Sequence, residues 1–183
     1  MLFRVFPSIP GSRPNDPGGP LYVPLFDQGG GRHDNPDHYG VLYLSRAQAS
    51  PVAEKLRDYR GRGLADTDLF DEGSRLVLAR IEDDALTALI DLDDPANLGA
   101  RGLRPSVVAT RQRKPTRRMA LHIYEEGVAG FEWWSTIEAS WINVTLFDDR
   151  VAGRLTVVGE PEPLTVDHPA VREAAEAVGV LLG

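Results

Sequence analysis

No cysteine occurs among the 183 residues. Disulfide staples, thiolate nucleophiles, iron–sulfur clusters and cysteine-ligated zinc are therefore excluded together. Long apolar runs are missing as well: no stretch approaches the roughly 18–20 uninterrupted apolar residues of a membrane span. Near the N-terminus Arg4 is soon followed by Pro7, Pro10 and Pro14, which leaves no apolar core for a signal peptide. The expectation is a cytoplasmic protein with no membrane partner. Basic residues are outnumbered, 20 Lys and Arg against 27 Asp and Glu, for a formal net charge of −7. A bulk electrostatic nucleic-acid binder shows the opposite sign, so direct nucleic-acid binding is not expected.

What is present has the composition of an ordinary globular chain, with 42% hydrophobic and 26% charged residues. The length suits one domain spanning 1–183. Twelve of the glycines and prolines crowd between Phe6 and Arg32, so that segment reads as a wrapped, irregular loop after a first strand, Leu2–Phe6. Val41–Leu44 reads as a buried strand. Ser50 followed by Pro51 opens a helix to about Tyr59, with Ser45 and Gln48 as a competing capping box. Further strands are expected at Arg75–Ile81, Leu86–Leu92, Phe131–Ser135, Ile142–Phe147 and Leu155–Val158. Thr116 is placed as the cap of a helix Arg117–Glu126, and Asp167 or His168 as the cap of a helix Ala170–Leu182. Short mixed and antiparallel strands interrupted by a few helices make the fold class α+β.

Gly29–Gly30–Gly31 can bring backbone N–H groups close to an anion, and Arg32 directly after them suits a bidentate contact with a diphosphate. The plainer reading of the four is a surface loop. Tyr43 on its strand is otherwise a core residue, and Glu54 otherwise a solvated first-turn carboxylate. Trp133 and Trp134 point to opposite faces of a strand, so one packs and the other is free to stack on a ligand. Ser135 at the strand end can reach a ribose or phosphate oxygen. His33 and His38 share a loop with Asp34 and Asp37, but the spacing matches no zinc pattern, and no nucleophile elbow accompanies a serine. No metal is expected. The basic stretch Arg111, Arg113, Lys114, Arg117 and Arg118 is either a solvated loop or a phosphate-binding patch.

In order and local phrasing these pieces resemble the RES domain family, named for its Arg, Glu and Ser. The phrases are Leu2–Val5, Gly30–Gly31–Arg32 followed by Val41–Ser45, a helix bearing Glu54, Ala120–Gly127 leading into Gly130–Ser135, and the strand Asn143–Phe147. Two departures stand out. His33–Asp34–Asn35 makes the loop after the Arg one residue longer than usual, and Trp134 stands where a proline often precedes the Ser. The resemblance implies an ADP-ribosyltransferase-like fold with NAD+ bound in a cleft as substrate. It implies a toxin that destroys NAD+ by phosphorolysis or hydrolysis, or transfers ADP-ribose to a protein, and an antitoxin partner with an Xre-type helix-turn-helix. A non-catalytic NAD-binding or partner-binding domain is the remaining reading. On the family's pattern Glu54 stabilises positive charge on the ribose, Arg32 and the Gly30–Gly31 backbone hold the diphosphate, Tyr43 packs on nicotinamide or its ribose, and Ser135 orients an oxygen. Inorganic phosphate is a possible acceptor.

Overall fold

In the computed structural model, which describes residues 1–87 and 89–183, the strands are β1 (Leu2–Pro7), β2 (Val41–Ser45), β3 (Gly63–Leu64), β4 (Phe70–Asp71), β5 (Ser74–Glu82), β6 (Leu89–Asp91), β7 (Gly130–Trp134), β8 (Ile142–Phe147), β9 (Thr156–Pro163) and β10 (Leu181–Leu182). The helices are α1 (Ala49–Leu56), α2 (Pro95–Ala100), α3 (Pro105–Ala109), α4 (Arg113–Glu125), α5 (Asp148–Val151) and α6 (Pro169–Val178). The main sheet runs β4-β5-β1-β2-β8-β7-β6, with β9 also on β5. Its pairs are antiparallel except β6–β7. A small parallel pair joins β10 to β3. This is the α+β architecture expected.

The sheet is nearly split. β1 pairs with β5 along its whole length, and β2 pairs with β8 along its own. Between β1 and β2 there is one register pair, Phe3 with Ser45. Continuing that register would set Val5 opposite Tyr43. Instead the strands diverge, and both residues line a cleft. The opening reaches Tyr43, the half-buried residue of β2, whose other four residues are buried.

Helices cover the two halves separately. On one side α1 and α6 pack together through Ala49, Val52, Ala53 and Leu56 against Val171, Ala174, Ala175 and Val178. These are helical stripes at i, i+3, i+4 spacing. His168 is the cap of α6, its Nδ1 accepting from Ala170 N at 3.1 Å, and Gly179 at φ 81° ends the helix in the left-handed region, short of the expected Leu182, which lies in β10. On the other side Met119, Ala120 and Ile123 of α4 pack on Phe131, Trp133 and Phe147.

Several local expectations need correction. Thr116 is not a cap: α4 starts at Arg113 and holds Pro115 in its first turn, where a missing N–H costs nothing because no intrahelical acceptor is waiting for it. Ser50 does not cap α1 either; it lies inside the helix and donates to Asn143 Oδ1 at 2.7 Å. α2 and α3 lie between β6 and α4, where no helix was expected, each opened by a proline. Part of the strand expected over Leu86–Leu92, Ala88, lies outside the described residues. β9 continues to Pro163, beyond the expected Val158, by pairing with β5. The Gly- and Pro-rich segment is wrapped, held by Leu21 N to Pro14 O at 2.7 Å and by Arg4 Nη1 to Pro20 O at 2.7 Å.

Candidate active site

The cleft between β1 and β2 has a volume of about 660 Å³. Its floor includes Val5, Tyr43 and Leu44, with Trp133 and Asn143 beside them. The glycine loop contributes Gly30, Gly31 and Arg32. Helix α1 brings Pro51, Glu54 and Lys55, with Arg57 just past its end; Arg111 and Arg113 reach in from the start of α4. The charges are lopsided: five cationic side chains surround one carboxylate, Glu54. In a chain of net charge −7, this is a local field suited to an anion.

Five of the sequence-selected residues, Gly30, Gly31, Arg32, Tyr43 and Glu54, meet in this one cleft. The sixth, Ser135, is not on its lining. Ser135 is buried just past β7, where its Oγ accepts from Ile137 N at 3.1 Å and its N donates to Trp141 O at 2.8 Å. Its side chain thus fixes a turn.

The glycine loop works differently from the reading of its sequence. Two of its three N–H groups are already taken within the protein. Gly29 N and Gly31 N donate to Asp34 Oδ2 at 2.9 and 2.5 Å. Asp34 is a resident carboxylate, 4% exposed, and its Oδ1 accepts from the Tyr43 hydroxyl at 2.6 Å. A Cβ on Gly31 would press on Asp34 Oδ1 and lie 2.5 Å from the Tyr43 oxygen, so only glycine fits. From α4, Arg117 donates to the carbonyls of Gly29 and Gly31, and Thr116 Oγ1 donates to Arg32 O at 2.5 Å. These bonds make a fixed wall of a segment that composition alone suggests is loose.

Tyr43 is locked by the same network. Its hydroxyl also accepts from His33 N at 2.9 Å. Burial, then the neighbouring Asp34 charge, pushes its pKa well above the ordinary tyrosine value. Tyr43 is therefore a neutral, oriented ring at the cleft wall.

Arg32 is docked rather than free. Nη2 donates to Val108 O and Thr110 O at 2.7 Å each, and the guanidinium stacks 4.7 Å from the Trp133 ring centre. Nε is buried without a partner. Burial pushes the Arg32 pKa down, opposed most by the charge of Glu54, but an arginine stays cationic at neutral pH. With Nη2 committed, the expected bidentate clamp is compromised. The cleft cations with no hydrogen bond or ion pair among the described residues are Arg111 and Arg113. The others are engaged: Arg57 Nη1 bonds Glu54 Oε2 at 2.9 Å, and Lys55 Nζ bonds Asp71 Oδ2 at 2.9 Å.

Beneath the site lies His33, fully buried between Phe131 and Trp133, with ring centres 4.9 and 5.1 Å away. Its Nδ1 meets Thr145 Oγ1 at 2.9 Å, and Nε2 has no partner. Burial, helped by the Arg32 charge, pushes its pKa down to about 3. His33 is a neutral core residue, and no group of metal-ligating side chains is found with it among the described residues.

Sequence reasoning missed Asn143 as part of the site altogether, and it named Asp34 and Arg117 without their part in holding the glycine loop. Asn143 stands on β8 opposite Ser45 and Trp133, with its Oδ1 held by Ser50. Only the diverging sheet makes an asparagine inside a strand reachable.

The RES domain family model matches residues 12–167. The chain belongs to the RES domain family. The fold agrees: a chain of the crystal structure of the M. tuberculosis MbcT–MbcA toxin–antitoxin complex is similar, with a TM-score of 0.65 and 16% identity, covering 98% of this chain and 88% of that one. No curated protein matches. Of the residues expected to be the Arg, Glu and Ser of the family's name, Arg32 and Glu54 line this one cleft and Ser135 does not.

Proposed function

We propose that this RES domain cleaves NAD+ at the nicotinamide–ribose bond, releasing nicotinamide and transferring ADP-ribose to phosphate or water. The observation that carries the reading is a lone carboxylate, Glu54, in a cleft whose walls also carry five cations and the rings of Tyr43 and Trp133. NAD+ has matching parts. Its diphosphate suits Arg111 and Arg113, with the Arg32 charge behind them, and its flat rings suit Trp133 and Tyr43.

The chemistry asks for little else. As the glycosidic C–N bond breaks, its electron pair goes to the nicotinamide nitrogen, which leaves neutral. Positive charge grows on the ribose, and a preorganised carboxylate stabilises it. Glu54 serves this role, held by Arg57 at 2.9 Å. An oxygen of water or phosphate then bonds to the anomeric carbon, and a water-derived proton goes to solvent. Asn143 and Tyr43 orient the nicotinamide-side ribose, and Ser135 acts at a distance by fixing the 135–137 turn. No step needs a thiol or a metal.

We read the chain as the toxin of a toxin–antitoxin pair, working on the cytoplasmic dinucleotide pool. The support is the family and the similar fold of a chain crystallised in a toxin–antitoxin complex. The expected partner is an antitoxin with an Xre-type helix-turn-helix. The test is NAD+ consumption by the purified chain, with and without phosphate and with product masses determined. Free ADP-ribose or its phosphate ester supports the reading; label retained on protein would assign a mono-ADP-ribosyltransferase, and no turnover with retained NAD+ binding a non-catalytic domain.

A further inference from the structure

Ser50 lies inside α1, fully buried, one turn before Glu54. A serine within a helix ordinarily bonds back to a carbonyl three or four residues earlier. Here the hydroxyl reaches across to β8 and donates to Asn143 Oδ1 at 2.7 Å, its one hydrogen bond among the described residues. Asn143 is itself 6% exposed and lines the cleft. Its Nδ2 has no partner among the described residues, yet it is not sealed in: the buried side-chain atoms without a partner there are Arg32 Nε and His33 Nε2. The acceptor end of the amide is thus spent inside, and the donor end is left to the cleft. The serine hydroxyl decides this orientation. Turning the amide over would set Nδ2 against Oγ and leave the buried hydroxyl proton with no acceptor, an arrangement that costs free energy.

We propose that Ser50 is a positioning residue: it sets the hand of the Asn143 amide, so that the cleft offers an N–H donor to a neutral oxygen of its ligand. The amide donates and the Glu54 carboxylate accepts, so the two together serve an uncharged, oxygen-bearing group, while the five cations serve the charged ones. The same bond ties α1, which carries Glu54, to β8 across the parting sheet. That the oxygen belongs to a dinucleotide rests on the function proposed above; the orientation of the amide does not.

Two parts of such a ligand carry a neutral oxygen, the ribose hydroxyls and the nicotinamide carboxamide. The test uses the full chain with one probe for each, ADP-ribose and nicotinamide. Heteronuclear NMR follows the Asn143 side-chain amide, identified by its disappearance in Asn143→Ala. The amide signals should shift when one probe saturates the cleft, and the probe that shifts them identifies the oxygen. Calorimetry gives the affinities. Asn143→Ala should weaken binding of that probe about tenfold, as the loss of one buried hydrogen bond does. Ser50→Ala leaves the amide free to turn and should weaken binding a few-fold, by the fraction of amides that face the wrong way. In the Asn143→Ala background Ser50→Ala should add nothing, a result that a serine serving only helix packing would not give. No saturable binding or no amide shift with either probe, or an equal effect of Ser50→Ala in both backgrounds, overturns the proposal. The NMR result on the natural chain stands even where a variant fails to fold. An amide shift without NAD+ consumption would keep the positioned donor and discard the reaction; consumption without a shift would do the reverse.

Discussion

The Tyr43 hydroxyl donates to Asp34 Oδ1 at 2.6 Å, and through this bond the glycine loop and strand β2 hold each other in place. The other carboxylate oxygen takes two backbone N–H groups of the loop. Asp34→Asn replaces one acceptor by a donor facing a donor. It should lower stability by about 1–3 kcal/mol, the cost of an unmet buried polar group. Denaturant unfolding measures this. Unchanged stability would mean that the loop is held mainly by Arg117 and Thr116.

Gly30 and Gly31 should respond oppositely to alanine. At Gly30 an added Cβ meets nothing within 4 Å, and the change should stay within about 0.5 kcal/mol, as surface substitutions do. At Gly31 the Cβ collides with Asp34 and Tyr43, so Gly31→Ala should displace the loop and cut ligand binding as well as stability. Equal behaviour of the two variants would contradict the packing described.

His33 makes a signed prediction for pH. Its folded pKa, about 3, lies below the unfolded value near 6.5. Between these values the unfolded chain binds the extra proton, so stability falls as pH drops from 6.5 toward 3 and is full above 6.5. The slope from this group approaches about 1.4 kcal/mol per pH unit. Comparing unfolding between pH 6.5 and 5 avoids most carboxylate titration. His33→Phe should flatten the slope whatever its effect on absolute stability; an unaltered slope would assign the pH response elsewhere.

Arg32→Ala removes a charge and also the donor to two carbonyls, Val108 O and Thr110 O. Two effects are expected together: a raised KM for NAD+ and a loss of about 1–3 kcal/mol in stability. Kinetics and unfolding on the same preparation check both. A KM effect without any stability loss would mean the guanidinium is freer than its bonds indicate.

The sequence was most legible where the signal was local. The proline opening α6 and the apolar run of β5 are visible in a few residues, whereas the helix was expected to run on to Leu182 and stops instead at Gly179. The Arg–Tyr–Glu grouping was legible only because the phrases around those residues resemble a family; individually each has an ordinary structural reading. What escaped depended on distant partners. Two of the donors expected to face an anion, Gly29 N and Gly31 N, turn inward because Asp34 lies within reach. Asn143 belongs to the cleft because β1 and β2 part after a single register pair. Thr116 looked like a cap because Pro115 precedes it, yet a helix tolerates proline in its first turn. The net charge of −7 gave no hint of the cationic cleft, which is assembled from α1, the glycine loop and the start of α4.

The central claim rests on Glu54, and one measurement addresses it most directly: the time course of NAD+ loss with the purified chain and with Glu54→Gln, products identified by mass. Glu54 is partly exposed and bonded only to Arg57, so the variant should fold normally. The account predicts nicotinamide release by the natural chain and a rate about 10²–10³-fold lower in the variant, the loss typical of one preorganised electrostatic group. Equal NAD+ consumption by both proteins would contradict it.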